Sequence, residues 1–181
     1  MSSDLDRLKA AAVAWLRSLR GTSSRTFFAY PLATLLFQAL FLRQVRPQPM
    51  GLLVMAWGYL QYRLCGAYLM RTGEGSGFGQ FSLRRGLSRG ERVPTRAPAR
   101  LVTTGPYALT RNPMYLGHII FMAGLALTTR SPLALALGVY HTLWLQQRAL
   151  EDEAHMSGRF GQEYETYRSR VPRWFPPLPN D

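Results

Sequence analysis

Arg111, Asn112 and Pro113 stand together just ahead of one apolar run, and three acids, Glu151, Asp152 and Glu153, follow the next. Asn before Pro fits a helix start, with Asn at the N-cap and Pro at the first helical position, where its missing N–H costs nothing. A helix opening there presents unpaired N–H groups and a positive dipole end beside the fixed charge of Arg111, a spot that receives anions. Glu153 offers the opposite chemistry, a carboxylate for a cation or for hydroxyl groups. The acids lie near a helix C-terminus, where the dipole opposes them. Arg148, three and four residues before Glu151 and Asp152, can offset this by surface ion pairs. Simpler readings of the same residues are an arginine and a cap at a membrane surface, and a solvated acidic face. His118, His141 and His155 show neither triad nor metal-ligand spacing, so they are read as structural or incidental and no metal is expected.

The elements that must position these groups are helical. Leu5, Leu8, Ala12, Trp15, Leu16 and Leu19 recur at helical spacing with Arg7, Lys9, Arg17 and Arg20 off the stripe, which suits a helix on a membrane surface or one packed on its own protein. Apolar runs follow at Thr26–Leu42, Met50–Met70, Pro113–Thr129 and Leu133–Leu145, the last two short for full spans. The expected fold is all-α: a polytopic helical membrane protein with about four transmembrane helices, an N-terminal amphipathic helix and a helical C-terminal tail. Its single domain, 1–181, divides into an amphipathic helix (4–25), a first hairpin (26–70), a loop (71–112), a second hairpin (113–147) and a tail (148–181). Gly158 is a plausible helix stop, and Phe160, Tyr164, Tyr167 and Val171 form a stripe beyond it. Arg63 inside the second run carries an insertion cost of at least ~2.5 kcal/mol, so it faces the bundle interior or snorkels to the interface.

Net charge of +12 invites a nucleic-acid reading. The distribution argues otherwise. Apart from Arg63, the Lys and Arg residues gather in the N-terminal segment, the 71–111 loop and the tail, leaving Arg43, Arg46 and Arg130 in the opposite turns. That is a positive-inside pattern, which places the loop and tail on the cytoplasmic side against anionic headgroups and expects no nucleic-acid partner. GEGSGFG at 73–79 follows no strand and reads as a connector rather than a nucleotide loop. The single cysteine, Cys65, excludes an internal disulfide.

Two stretches carry a family resemblance. LVTTGPYALTRNPMYLG at 101–117 is similar to the first signature of the isoprenylcysteine carboxyl methyltransferases, relatives of the phospholipid N-methyltransferases: a Gly-x-Tyr turn, then Arg-His-Pro-x-Tyr and Gly. Asp152-Glu153, Phe160-Gly161, Tyr164, Tyr167 and Val171-Pro172-Arg173-Trp174 resemble the second. The resemblance covers roughly residues 90 to 176. It implies an integral membrane methyltransferase using S-adenosyl-L-methionine on a lipophilic or membrane-soluble carboxylate, amine or thiol. The arginine bias of the chain suits a bacterial inner membrane, and the positive-inside pattern puts the cofactor site on its cytoplasmic side. Methyl transfer is an in-line displacement that can rest on alignment and desolvation.

By the same resemblance Arg100, Leu101, Val102, Tyr107, Asn112, Pro113, Met114, Tyr115 and Glu153 bind the cofactor. Arg148 holds a substrate carboxylate, and Tyr115 stands with it as catalytic. Asn112 replaces the signature His and removes any role that needs a protonatable ring. A sterol-reductase-like NADPH enzyme and a non-catalytic membrane protein with a degenerate site are the alternatives, and a 71–100 lid is an open question.

Overall fold

A computed structural model describes residues 21–42, 48–73 and 100–175. The expected amphipathic helix before residue 21 and most of the 71–112 loop lie outside the described residues. Five helices are described. α1 spans 22–42 and is wound in π geometry at Arg25–Ala29 and Gln38–Leu42. α2 is Pro49–Thr72, α3 Pro113–Thr129, α4 Pro132–Phe160 and α5 Gln162–Arg170, with a 3₁₀ turn at Gly105–Ala108. Pro49, Pro113 and Pro132 each open their helix at the first position, where a ring fixed in φ and lacking an N–H is at no disadvantage. Among the described residues there is no strand.

α2 and α3 form the tightest pair, running antiparallel, with Gln48 N–H donating to Thr128 O (3.0 Å) at one end and Gln61 Nε2 to Pro113 O (3.1 Å) near the other. Small residues allow the approach. A Cβ on Gly58 would come within 2.5 Å of Phe121 N, and one on Gly117 within 2.8 Å of Gly58 O. Gly51 and Gly124 meet the partner backbone in the same way, against Thr128 and Met55. The gaps 51–58 and 117–124 are both seven residues, so each pair lies on one face two turns apart. Phe121, Met122, Leu125 and Ala134 form the core, with Phe27, Tyr30, Met55, Ala126 and Leu137 packed on it.

The fourth helix runs past Gly158 and ends at Gly161 (φ +51°, ψ −127°), a conformation that glycine tolerates and other residues rarely adopt. The helix therefore stops three residues later than expected. Gly158 has ordinary helical neighbours and no breaker follows until Gly161. α5 then folds back and buries Tyr164 and Tyr167.

Among the described residues no helix is long and apolar enough to cross a membrane, so the expected set of about four transmembrane helices is not seen as such. α2 is long but carries Gln61 and Arg63, α3 has 17 residues, and α4 becomes polar after Leu145. α1 and α2 nonetheless turn apolar side chains outward: Phe41 is 73 % exposed, Leu40 71 % and Met50 70 %. Thr26, Thr34 and Gln38 of α1 are buried instead. This is the reverse of a helix that packs its apolar face inward in water.

Candidate functional site

The turn at Gly105–Ala108 begins the site. Gly105 has φ +59°, and a Cβ there would strike the Tyr68 ring, so the turn needs glycine on both counts. Tyr68 Oη and Thr104 Oγ1 lie 2.8 Å apart, tying the turn to the end of α2. The chain then enters α3 beside the C-terminal segment. Arg111 N–H donates to Pro172 O (2.9 Å), Thr110 Oγ1 to Arg173 O (2.8 Å) and Tyr167 Oη to Tyr107 O (2.7 Å). The two signature stretches, separated in sequence by the α3–α4 hairpin, are thus bonded to each other.

Asn112 occupies the N-cap position, but its side chain makes no cap bond. Its Nδ2 donates to Arg173 O (3.4 Å) instead, while its carbonyl accepts the first helical bond from Leu116 N–H. This corrects the side-chain cap read from the sequence. With φ −126° and ψ 51°, Asn112 departs from the extended geometry usual for N-caps, and its amide points towards the tail.

Glu153, 6 % exposed, is held by two arginines. Arg173 donates from Nε to Oε1 (2.7 Å) and from Nη2 to Oε2 (3.0 Å), a bidentate fork, and Arg111 Nη2 lies 3.5 Å from Oε1. The bond to Glu153 is the chief reason the Arg173 guanidinium is held above its ordinary pKa. Arg111 is nine-tenths buried, and its Nε and Nη1 have no partner. Two buried donors of a fixed cation therefore remain to be met, beside the N-terminus of α3.

Tyr115 Oη donates to Asp152 Oδ2 (2.5 Å), and Asp152 Oδ1 lies 3.7 Å from Arg148 Nε. Arg148 also donates to Glu151 Oε2 (3.1 Å). Burial works to lower the Arg148 pKa, but the neighbouring Asp152 carboxylate and the bonds around it raise it above the ordinary value. Tyr107 and Tyr167 are pushed up by burial, and Tyr164 to about 12 by burial and then by the Glu153 charge. All three tyrosines are neutral walls and hydrogen-bonding groups at ordinary pH.

These residues border a cavity of about 730 Å³, within the ~300–1,000 Å³ usual for small-molecule sites. Its charged end is lined by Tyr107, Arg111, Asn112, Glu153 and Tyr164, and its more apolar end by Phe27, Phe28, Tyr59, Tyr62 and His118, with Thr22, Ser23 and Ser24 of α1 and Arg63 of α2 also in the lining. Of the residues named from sequence, Leu101, Val102, Tyr107, Asn112, Pro113, Met114, Tyr115, Arg148 and Glu153 line it. Arg100 does not; it is exposed, and its N–H bonds Gly73 O (3.3 Å). Sequence reasoning missed Arg173 as the partner of Glu153, although it stands in the second signature. It also missed His118 as a lining residue, for which spacing offers no signal.

Residues 90–163 match the family model described as phospholipid methyltransferase. The nickel-cobalt-cadmium resistance protein NccN of Alcaligenes xylosoxydans xylosoxydans is 31 % identical over 86 residues, 48 % of this chain and 40 % of that protein. The protein-S-isoprenylcysteine O-methyltransferase of Schizosaccharomyces pombe is 36 % identical over 81 residues, 44 % of this chain and 34 % of that protein. The human enzyme of the same name is 35 % identical over 80 residues, 42 % of this chain and 27 % of its own length. The chain thus spans well under half the length of these relatives. No solved structure matches it. Residues 90–163, which supply most of the cavity's polar end, are thus similar to the phospholipid and protein-S-isoprenylcysteine methyltransferases, the resemblance that the first signature carries.

Proposed function

We propose that this chain is an integral membrane methyltransferase that uses S-adenosyl-L-methionine to methylate a lipophilic acceptor. The observation that carries the reading is the meeting of both signature stretches on one cavity that is polar at one end and apolar at the other. Arg111 supports the fit to the cofactor. Its two unpartnered donors and the α3 N-terminus suit a carboxylate, and Tyr107, Tyr164 and Met114 offer aromatic and polarisable walls for an adenine or a sulfonium. Bound there, S-adenosyl-L-methionine would supply an activated methyl group.

Glu153 takes a different part from the one expected of it. Its carboxylate neutralises Arg111 and Arg173 and so holds Arg111 in place, which leaves Glu153 itself engaged rather than open to the cofactor ammonium in this arrangement. The chain's own contribution is to fix the cofactor end through Arg111, to wall the reacting region with neutral tyrosines and to exclude water at the apolar end.

The membrane reading rests on the outward apolar faces of α1 and α2 and on the buried threonines and glutamine of α1. Apolar side chains exposed in that number match a lipid environment. Gln61 and Gln38 are reconciled with it by bonds to backbone carbonyls of α3. The charge distribution supports a cytoplasmic side for the signatures.

The test is methyl transfer from methyl-labelled S-adenosyl-L-methionine into a total lipid extract by the protein in nanodiscs. Label should enter the organic phase with wild type and fall at least tenfold with Arg111→Gln. No organic-phase label from folded protein that binds the cofactor would contradict a lipophilic acceptor.

A further inference from the structure

His118 was read as structural, yet it lines the apolar end of the cavity and is held there by a hydrogen-bond arrangement that settles its tautomer. Thr26 Oγ1 lies 2.9 Å from Thr22 O, 2.8 Å from His118 Nδ1 and 2.8 Å from His141 Nε2. A hydroxyl has one proton and two lone pairs, and the Thr22 carbonyl can only accept. The hydroxyl proton therefore goes to Thr22 O, and both imidazoles donate to Oγ1, His118 from Nδ1–H and His141 from Nε2–H. Each neutral ring keeps one lone pair. That of His141, on Nδ1, is sealed in the protein without a partner. That of His118, on Nε2, has no partner among the described residues, and the side chain, almost wholly buried, borders the cavity. The ring is fixed by stacking on Phe27 (centroids 4.8 Å, 29°) and by the edge contact with Tyr62 (4.8 Å, 68°).

We propose that His118 Nε2 binds the protic head of the methyl acceptor and takes its proton, which makes the acceptor an apolar molecule bearing an N–H, O–H or S–H rather than a carboxylate. The proposal rests on the methyltransferase reading. A carboxylate would arrive without a proton and meet a lone pair, whereas a protic head meets its complement. Arg148, the residue expected to hold a carboxylate, is already paired with Glu151 and Asp152 and is 43 % exposed at its side chain. Phe27, Phe28, Tyr59 and Tyr62 form the apolar walls around the acceptor body. In the step, the acceptor heteroatom bonds to the methyl carbon as the methyl–sulfur bond breaks and its electron pair stays on sulfur. The acceptor proton passes to His118 Nε2, giving an imidazolium that later releases it to water.

Two variants separate the functions of the ring. His118→Asn keeps an N–H donor near the Nδ1 position, and so the bond to Thr26, but deletes Nε2. His118→Gln places an amide near Nε2 that can hydrogen-bond but cannot take a proton. The protein is ¹⁵N-histidine-labelled in nanodiscs and probed with 4-nonylphenol, nonylamine, decanoate and nonylbenzene. S-adenosylhomocysteine binding is measured calorimetrically in parallel.

The expected result is an unprotonated His118 Nε2 resonance that 4-nonylphenol shifts and nonylbenzene does not. Methylation should occur with the phenol or the amine, fall by ~10²-fold or more in His118→Asn, and fall in kcat more than in KM in His118→Gln. Affinity for S-adenosylhomocysteine should stay unchanged in both. A protonated Nε2 in the unliganded protein, an unmoved resonance, wild-type rates in His118→Asn, or methylation of decanoate alone would overturn the proposal. Loss of S-adenosylhomocysteine binding in wild type would instead sink the methyltransferase reading, and the acceptor subsite would then stand or fall on the resonance shift.

Discussion

Glu153 shows how one residue changes meaning between sequence and structure. Among three consecutive acids it looks like any other, and the resemblance marks it for the cofactor. In the fold it is the buried counter-charge of two arginines. Removing one partner of a buried pair leaves the other uncompensated, at a cost of roughly 3–5 kcal/mol, less here because Arg173 is a quarter exposed. Glu153→Gln should therefore lower stability by roughly 2–4 kcal/mol, read as a shifted melting transition in detergent, besides weakening cofactor binding. An unchanged melting transition with lost binding would restore Glu153 to direct cofactor contact. Arg111 was legible as an anion receptor because a cation beside a helix start is a local feature. Its pairing with Glu153, 42 positions away, was not, because that depends on how α4 and the tail return to α3. His118 was illegible for the same reason, since its partner Thr26 and the His141 that shares that hydroxyl come from two other helices.

At the scale of elements, proline and apolar runs located α2, α3 and α4 closely, and α3 has the expected ends at Pro113 and Thr129. The end of α4 was misplaced because glycine stops a helix only where the backbone leaves helical space. That happens at Gly161 and not at Gly158. Packing makes the same distinction among glycines. Gly58→Ala sets a methyl into the backbone of α3 and should destabilise by about 1–3 kcal/mol, through parting of the α2–α3 pair. Gly158→Ala meets nothing within 4 Å and should stabilise α4 by up to ~1 kcal/mol. Paired thermal melts of the two variants check this, and equal effects would contradict the close approach of α2 and α3. The π-wound stretches of α1 carry no sequence signal, because they answer to where Thr26 and Gln38 must reach on neighbouring helices.

For the whole molecule, the helical class and the hairpins were readable from the alternation of apolar runs and basic turns, while clean spans were not to be had from segments broken by Gln61, Arg63 and prolines. The arrangement turns Thr26, Gln38, Gln61 and the arginine–glutamate cluster inward and leaves mainly apolar side chains of α1 and α2 outside, with Arg63 exposed among them. The cavity inherits this division, with charge at the signature end and aromatic walls at the other. Its central claim is that the charged end holds S-adenosyl-L-methionine through Arg111. Calorimetric titration of S-adenosylhomocysteine into the nanodisc-embedded protein tests that most directly, with NADPH as comparator and Arg111→Lys as the variant. Lysine keeps the positive charge opposite Glu153 but loses the planar fork of donors. The account predicts saturable binding to wild type, at least tenfold weaker binding to Arg111→Lys, and none of NADPH. Binding of NADPH in place of S-adenosylhomocysteine, or equal affinity in wild type and Arg111→Lys, would contradict it.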